Sequence, residues 1–146
     1  MKILVSACLT GENCKYNGGN NYAPHVMDFI RGHEVVRICP EKLAGLGIPR
    51  TPIEITQGVL MDRKGNSVDP LLRKTVAELV EKLRTQHFDC AVLQSRSPTC
   101  GVNEVYDGTF SGKLIPGMGV FAQALKDAGI RVIDAEDLKG GTMDEL

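Results

Sequence analysis

The chain has 146 residues, of which 17 are basic and 18 acidic, and its formal net charge is −1. A hydrophobic fraction of 42% with 24% charged residues is typical of a globular protein and excludes a disordered tail or a collagen-like chain. The near-zero charge argues against an extended nucleic-acid-binding surface, which needs clustered basic residues. No apolar run approaches the roughly 18 residues of a membrane span, so we expect a cytoplasmic protein without a membrane partner.

Short apolar runs alternate with helical patterns along the chain, as they do in proteins with a parallel α/β sheet. Lys2–Ser6 is the first predicted strand, and a polar, glycine-rich loop follows at residues 10–21. Residues 24–30 form a short predicted helix, because a proline occupies the first helical position. Glu34–Ile38 is the second predicted strand, and residues 41–50 hold at most one helical turn.

The second half of the chain begins with a candidate edge strand at Val59–Met61. The longest predicted helix starts at Asp69, an N-cap residue that precedes a proline. Its apolar residues recur at helical spacing and predict one core-facing side: Leu72, Val76, Leu79, Val80 and Leu83. Cys90–Gln94 is a predicted buried strand, and the polar loop at 95–112 is long enough to indicate a functional segment.

The remaining elements complete one predicted domain over residues 1–139. A helix at 118–128 leads to the last strand, Arg131–Ile133, and residues 140–146 are predicted to be a frayed tail. The order of these elements predicts a Rossmann-like, doubly wound α/β fold. We expect a mostly parallel sheet of about four strands, with helices on both faces.

The five cysteines separate into two groups on this predicted sheet. Open α/β sheets bind ligands beyond the carboxyl ends of their strands. Four cysteines are predicted to lie at that edge: Cys8, Cys14, Cys39 and Cys100. Cys90 begins its strand at the opposite edge, and we expect it to be a small hydrophobic residue of the core.

Placement alone leaves three interpretations of the four thiols. Soft ligands from separate strands suit an iron–sulfur cluster or a thiolate zinc site. The thiols could instead be scattered and inert, or one of them could be a redox or nucleophilic cysteine. The spacing contains no C-x-x-C pair. The histidines, His25, His33 and His87, are predicted to be surface or capping residues rather than ligands.

The loops that carry these cysteines resemble the signatures of the thiouracil desulfurase (TudS) family. The resemblance runs through three ordered blocks, from residue 6 to about residue 120. The blocks are Ser6–Gly11 with Cys14–Gly18, then Cys39–Glu41 with Gly45-Leu46 and Pro49–Ile55, and finally Ser97–Gly101 with Tyr106–Gly112 and Gly117–Val120. Lys15, Asn17 and Thr99 stand where the family usually has Arg, Asp and Ser, and none of these departures removes a thiol.

The resemblance implies a [4Fe–4S] cluster bound by only three cysteines, with the fourth iron free to bind sulfur. Carried over onto this sequence, the ligands are Cys8, Cys39 and Cys100. Cys14 matches a fourth cysteine of the pattern and is expected beside the cluster, as a possible alternative ligand. We expect the Fe–S assembly machinery as a partner, and loss or replacement of the cluster in protein handled in air.

The resemblance also implies two catalytic residues. Glu41 is the predicted general base for an attacking water. A glutamate at this position could instead only stabilise the N-terminus of a helix with its negative charge. Ser97 is predicted to orient the substrate or the water. Ser97-Pro98 is also a common start of a turn, so a purely structural role is the alternative for Ser97.

Three further residues are the predicted substrate contacts: Arg50, Asp107 and Ser111. For Arg50 and Asp107 a purely structural role is the alternative, and Ser111 is predicted from the family motif alone. Arg50 could pair with Glu54 or with another acid, and Asp107-Gly108 is a common turn dipeptide.

The resemblance therefore implies a desulfurase that hydrolyses a small thiolated pyrimidine, such as thiouracil, to the pyrimidine and sulfide. A thiocarbonyl sulfur is soft, so the free iron is a matched Lewis acid and no net electron transfer is needed. One alternative is a thiol oxidoreductase that uses Cys8 or Cys14. The other is a non-enzymatic, metal- or nucleotide-binding Rossmann module.

Overall fold

The computed structural model describes residues 1–138, and the tail predicted at 140–146 lies outside them. The described chain forms these strands: β1 Lys2–Ser6, β2 Glu34–Ile38, β3 Ile53–Thr56, β4 Val59–Asp62, β5 Cys90–Leu93, β6 Glu104–Tyr106, β7 Leu114–Pro116 and β8 Val132–Asp134. Its α-helices are α1 Pro24–Ile30, α2 Pro40–Leu43, α3 Asp69–Leu83 and α4 Val120–Asp127. Short 3₁₀ helices cover Ala7–Thr10 and Ala135–Leu138. No helix in this part of the chain is long and apolar enough to cross a membrane.

Four parallel strands form the central sheet, in the order β2–β1–β5–β8. In register, Leu4 of β1 lies between Val36 of β2 and Ala91 of β5. Ile3, Leu4 and Val5 are completely buried, because helices cover both faces of a parallel sheet and its inner strands are apolar throughout. The predicted Rossmann-like fold with about four parallel strands is confirmed.

The helices divide between the two faces of this sheet. α3 and α4 form a core with Leu4 and Leu93 on one face, and α1 packs with Ile3 and Val92 on the other. The apolar side of α3 is buried as predicted, and full burial of such a side chain contributes about 1.5–3 kcal/mol. Its buried residues are Leu72, Val76, Val80 and Leu83, and Leu79, the fifth residue of the predicted side, is partly buried against the same core.

The start of α3 differs from the sequence prediction. The residue before the helix is Val68, and Asp69 is already helical, so Asp69 is not the N-cap. Its carboxylate instead accepts the N–H of Leu60 in β4 at 3.0 Å and pairs with Arg73 at 2.8 Å. Asp69 therefore attaches the helix to a neighbouring strand, a tertiary contact that the local pattern does not reveal.

Two antiparallel ribbons lie outside the central sheet. β3 pairs with β4, which includes the predicted edge strand, and β6 pairs with β7. β6 lies inside the segment predicted as a loop at 95–112. Strands of three residues are too short to show alternation of apolar and polar residues, so sequence reasoning missed this ribbon. β3 and β6 contact each other, which joins the two ribbons.

Candidate functional site

The strand order of the central sheet reverses between β1 and β5. The chain moves from β1 outward to β2 and then returns to place β5 on the other side of β1. Open α/β sheets bind ligands beyond the carboxyl ends of their strands at such a point. A cavity of about 500 Å³ lies there, lined by the loops that follow β1, β2 and β5 and by residues of both ribbons.

Four cysteines line this cavity: Cys8, Cys14, Cys39 and Cys100. Cys8 lies in the 3₁₀ helix after β1, Cys39 lies between β2 and α2, and Cys100 lies in the loop after β5. Cys14 is buried in the loop that follows the 3₁₀ helix. Cys90 is buried in the core at the other end of β5. None of the chain's three histidines lines the cavity.

The surroundings of three of these thiols oppose their ionisation. Burial raises the pKa of Cys8, Cys14 and Cys100 above the ordinary value of a thiol, and the nearby Cys39 adds to the increase in each. A hydrogen bond from Asn21 Nδ2 to Cys8 Sγ, 3.5 Å long, partly offsets the effect at Cys8. Thiols this close together become thiolates together only when bound cations compensate the charge. The donor set therefore fits a thiophilic metal centre.

The four thiols are not arranged around a single metal ion. Within residues 1–138, no three His, Cys, Asp or Glu side chains are placed to hold one metal ion. Sulfur ligands of a single tetrahedral ion lie about 4 Å apart, because each Zn–S bond is about 2.3 Å. A [4Fe–4S] cluster binds each cysteine at a different iron, and this separates the sulfurs further. Cys8 and Cys39 each act electrostatically on both Cys14 and Cys100, so both lie near each of these two thiols.

Glu41 lies beside the thiols in a network of largely buried polar groups. Its Oε1 accepts a hydrogen bond from Arg50 Nε at 3.1 Å, and its Oε2 accepts one from the hydroxyl of Thr99 at 2.8 Å. The side chains of Arg50 and Glu41 are only 8% and 15% exposed, so water and salt screen this ion pair weakly. Arg50 also donates from Nη2 to the carbonyl of Cys14 at 2.9 Å. Arg50 thus connects Glu41 to the Cys14 loop, and its acidic partner is Glu41 rather than Glu54.

Ser97 supports the loop that carries Cys100. Its Oγ accepts the backbone N–H of Thr99 at 3.1 Å and that of Cys100 at 3.0 Å, which is a local serine turn. The hydroxyl hydrogen is left as a donor, and Ser97 lines the cavity. Ser97 can therefore stabilise the turn and still have a hydroxyl hydrogen to donate to a substrate or a water.

Asp107 and Ser111 lie on the turn between β6 and β7, outside the lining of the cavity. The Asp107 carboxylate accepts the backbone N–H of Thr109 at 2.9 Å and its hydroxyl at 2.6 Å, and these bonds lower the pKa of Asp107. Ser111 is exposed, and its Oγ lies 2.6 Å from Thr109 Oγ1. Tyr106 and Phe110 are the side chains of this segment that line the cavity.

Sequence reasoning missed several residues of the site. In the sequence Thr99 stands out only as a departure from the family's usual serine, yet its hydroxyl donates to Glu41, which lies 58 positions away. Asn21 and Phe110 lie in or beside the loop signatures, but no local pattern indicates which way their side chains point. Arg63, which follows β4, lines the cavity from a segment without any motif. Only the three-dimensional contacts identify these residues.

Comparison with known proteins agrees with the loop signatures. Residues 3–137 match the family described as 2-thiouracil desulfurase. The protein YbbK of Bacillus subtilis (strain 168) is 36% identical over an alignment of 146 residues, which covers 93% of this chain and 97% of YbbK. The solved structure of TudS, a [4Fe-4S]-dependent thiouracil desulfidase, is similar with a TM-score of 0.86 at 29% identity, over 95% of this chain and 93% of that one.

Proposed function

The chain belongs to the 2-thiouracil desulfurase family, and we propose that it removes sulfur from a thiolated pyrimidine such as thiouracil by Fe–S-dependent hydrolysis. The thiocarbonyl group and water are converted into a carbonyl group and hydrogen sulfide, so no electron donor or acceptor is consumed. The observation that carries the proposal is a single cavity lined by four thiols and by the Glu41 carboxylate.

Cys8, Cys39 and Cys100 are the proposed ligands of a [4Fe–4S] cluster, each from the loop after a different strand of the central sheet. When bound, the cluster supplies an iron without a protein ligand, a soft Lewis acid that matches a thiocarbonyl sulfur. Cys14 stands beside this set as the fourth thiol, and its backbone carbonyl accepts a hydrogen bond from the Cys39 thiol at 3.9 Å. Arg50 holds the Cys14 loop through the carbonyl of that residue.

Glu41 is the proposed general base. An ionised carboxylate offers about four lone-pair sites, and Arg50 and Thr99 each occupy one, on different oxygens. The remaining lone pairs accept the proton of a water that attacks the thiocarbonyl carbon. Because the two donors fix the plane of the carboxylate, the free lone pairs keep one orientation. Arg50 therefore acts on the reaction by positioning Glu41.

Ser97 is proposed to donate its hydroxyl hydrogen to the substrate or to the attacking water. Its oxygen is held by two backbone N–H groups, so the hydroxyl keeps a fixed position relative to Cys100. Asp107 and Ser111 stay predictions as substrate contacts, on the turn beside the cavity wall. A cavity of about 500 Å³ is in the size range of small-molecule sites, which favours a small thiolated pyrimidine as the substrate.

A thiol oxidoreductase is less well supported than the desulfurase. A reactive cysteine needs a lowered pKa, because the thiolate is the nucleophile. Burial raises the pKa of Cys8 and of Cys14, the two candidates for that role.

Free thiols and an Fe–S cluster both require a reducing compartment. The cytoplasm therefore stays the predicted location, with the Fe–S assembly machinery as the partner that supplies the cluster.

The experiment compares the wild type with Cys39→Ala and with the core variant Cys90→Ala as a matched control. Each protein is reconstituted with iron and sulfide without oxygen, its iron is counted, and sulfide release from thiouracil is measured without a reductant. We expect about four irons per chain and sulfide release in the wild type and in Cys90→Ala. Both are expected to be lost in Cys39→Ala. An iron-loaded wild type that releases no sulfide, or releases it only with a reductant, overturns the proposal.

A further inference from the structure

The turn between β6 and β7 holds an aromatic residue in an unusual backbone conformation. Phe110 has a φ of 56°, in the left-handed region that bulky residues rarely adopt. Gly108, two residues earlier, has a φ of 91°. A Cβ at Gly108 would lie 2.4 Å from the carbonyl oxygen of Ile55, so only glycine allows the turn to approach β3 this closely. Strain of this kind persists where the surrounding structure enforces it, and it is concentrated at functional sites.

Glu54 is the residue that enforces this conformation. It is only 8% exposed, and its Oε1 accepts the backbone N–H of Gly108 at 3.0 Å and that of Phe110 at 3.1 Å. A second contact joins the same segments, because the hydroxyl of Thr56 donates to the carbonyl of Gly108 at 2.9 Å. A carboxylate is thus buried in β3 to hold two N–H groups of a turn on the other ribbon.

The Phe110 ring lies in the wall of the cavity. Phe110 is half-buried, so it is not a core residue, and it lines the cavity together with Tyr106 and Arg63. The guanidinium of Arg63 lies over the ring, with Cζ 5.9 Å from the ring centroid. An aromatic ring and a guanidinium are both planar groups on which a pyrimidine base can stack.

We propose that Phe110 stacks on the pyrimidine ring of the substrate and determines its affinity, and that Glu54 is the positioning residue that holds Phe110 in the cavity wall. The proposal rests on the proposed function and adds to it the group that recognises the ring. Stacking is insensitive to the sulfur atom, so it contributes to the substrate and to the desulfurated product alike. It therefore acts on binding and leaves the chemical step unchanged.

The first experiment measures KM and kcat for thiouracil, and the inhibition constant of uracil, in cluster-loaded wild type, Phe110→Ala and Phe110→Tyr. We expect Phe110→Ala to raise both KM and the inhibition constant about tenfold, with kcat within about twofold of the wild type. Phe110→Tyr keeps the ring and is expected to keep both values. Lys113→Ala, which removes an exposed side chain near the same turn, is the matched control.

The second experiment replaces Glu54 in two ways. Glu54→Gln keeps an oxygen that accepts the two N–H groups, whereas Glu54→Met removes it. We expect Glu54→Met to reproduce the KM and uracil effects of Phe110→Ala and Glu54→Gln to remain near the wild type. Phe110→Ala lies on a surface turn and tests the stacking on its own if Glu54→Met does not fold.

The outcomes separate this inference from the proposed function. Wild-type protein that releases no sulfide from thiouracil overturns the proposed function and the inference with it. Active wild type with unchanged KM and uracil inhibition in Phe110→Ala overturns the stacking role alone. A loss confined to kcat in Phe110→Ala also overturns it, because stacking predicts an effect on binding.

Discussion

Replacement of Arg50 with methionine tests how the candidate base is held. Methionine keeps part of the apolar stem and removes the donors to Glu41 Oε1 and to the carbonyl of Cys14. A third donor, to the carbonyl of Gly47, is lost as well. The Glu41 carboxylate then keeps Thr99 as the donor on its other oxygen.

The expected loss of stability follows from the burial of the pair. Removal of one partner from a buried ion pair costs about 3–5 kcal/mol, because the other charge is left uncompensated. Glu41 is 15% exposed, so water reaches the carboxylate in part and we expect about 3 kcal/mol for Arg50→Met. In a Glu41→Gln background the charge is absent, and the lost bonds to the two carbonyls cost about 1–2 kcal/mol. The difference is a coupling energy of about 1–2 kcal/mol.

Urea unfolding of wild type, the two single variants and the double variant measures this coupling by far-ultraviolet circular dichroism. The reduced, cluster-free protein is used, because loss of the cluster makes unfolding of the loaded protein irreversible. Sulfide release by the loaded Arg50→Met protein is expected to fall at least about tenfold, since a misplaced base loses its alignment with the water. A double variant whose destabilisation equals the sum of the two singles would refute the ion pair as the support of Glu41.

Three other predictions follow from the same site. Burial raises the pKa of Cys14 and Cys100, so the unfolded chain loses these protons first as the pH rises. Urea unfolding of the cluster-free protein should show a stability that falls above about pH 8.5, by at most about 1.4 kcal/mol per thiol and pH unit, and a profile that stays flat there would contradict this. Ser97→Ala leaves two N–H groups without their acceptor, so it should cost about 1–2 kcal/mol in urea unfolding and lower the iron content. Gly119→Ala places a Cβ 2.4 Å from the carbonyl oxygen of Thr99, so its melting temperature should fall, and a wild-type value would contradict the close approach.

The central sheet could be predicted because its signals are local. Lys2–Ser6 and Glu34–Ile38 are built around short apolar runs, Ile3–Val5 and Val35-Val36, and both strands have the predicted bounds. The buried face of α3 could be predicted from the helical spacing of its apolar residues. The gathering of Cys8, Cys39 and Cys100 follows from the topology, because the carboxyl ends of parallel strands meet at one edge.

The polar contacts of the site could not be predicted, because they join residues with no common local pattern. Arg50 could pair with Glu54 or with another acid, and nothing in the sequence shows that its partner is Glu41, nine positions earlier. Glu54 is instead occupied by two backbone N–H groups from a turn more than fifty positions later. That contact depends on how one ribbon packs on the other, and the three-residue strands of the second ribbon leave too weak a pattern to detect.

The contacts of Glu41, the proposed base, link its carboxylate to the loops of two thiols. One of its donors is Arg50, which also holds the carbonyl of Cys14, and the other is Thr99, which directly precedes Cys100 in the chain. A shift of either thiol loop therefore moves a donor of the carboxylate. Variants that loosen these loops should lose turnover through a misoriented Glu41 even when they retain iron. Loss of activity at full iron content in Thr99→Val, which removes the hydroxyl and keeps the shape, would separate this coupling from simple loss of the cluster.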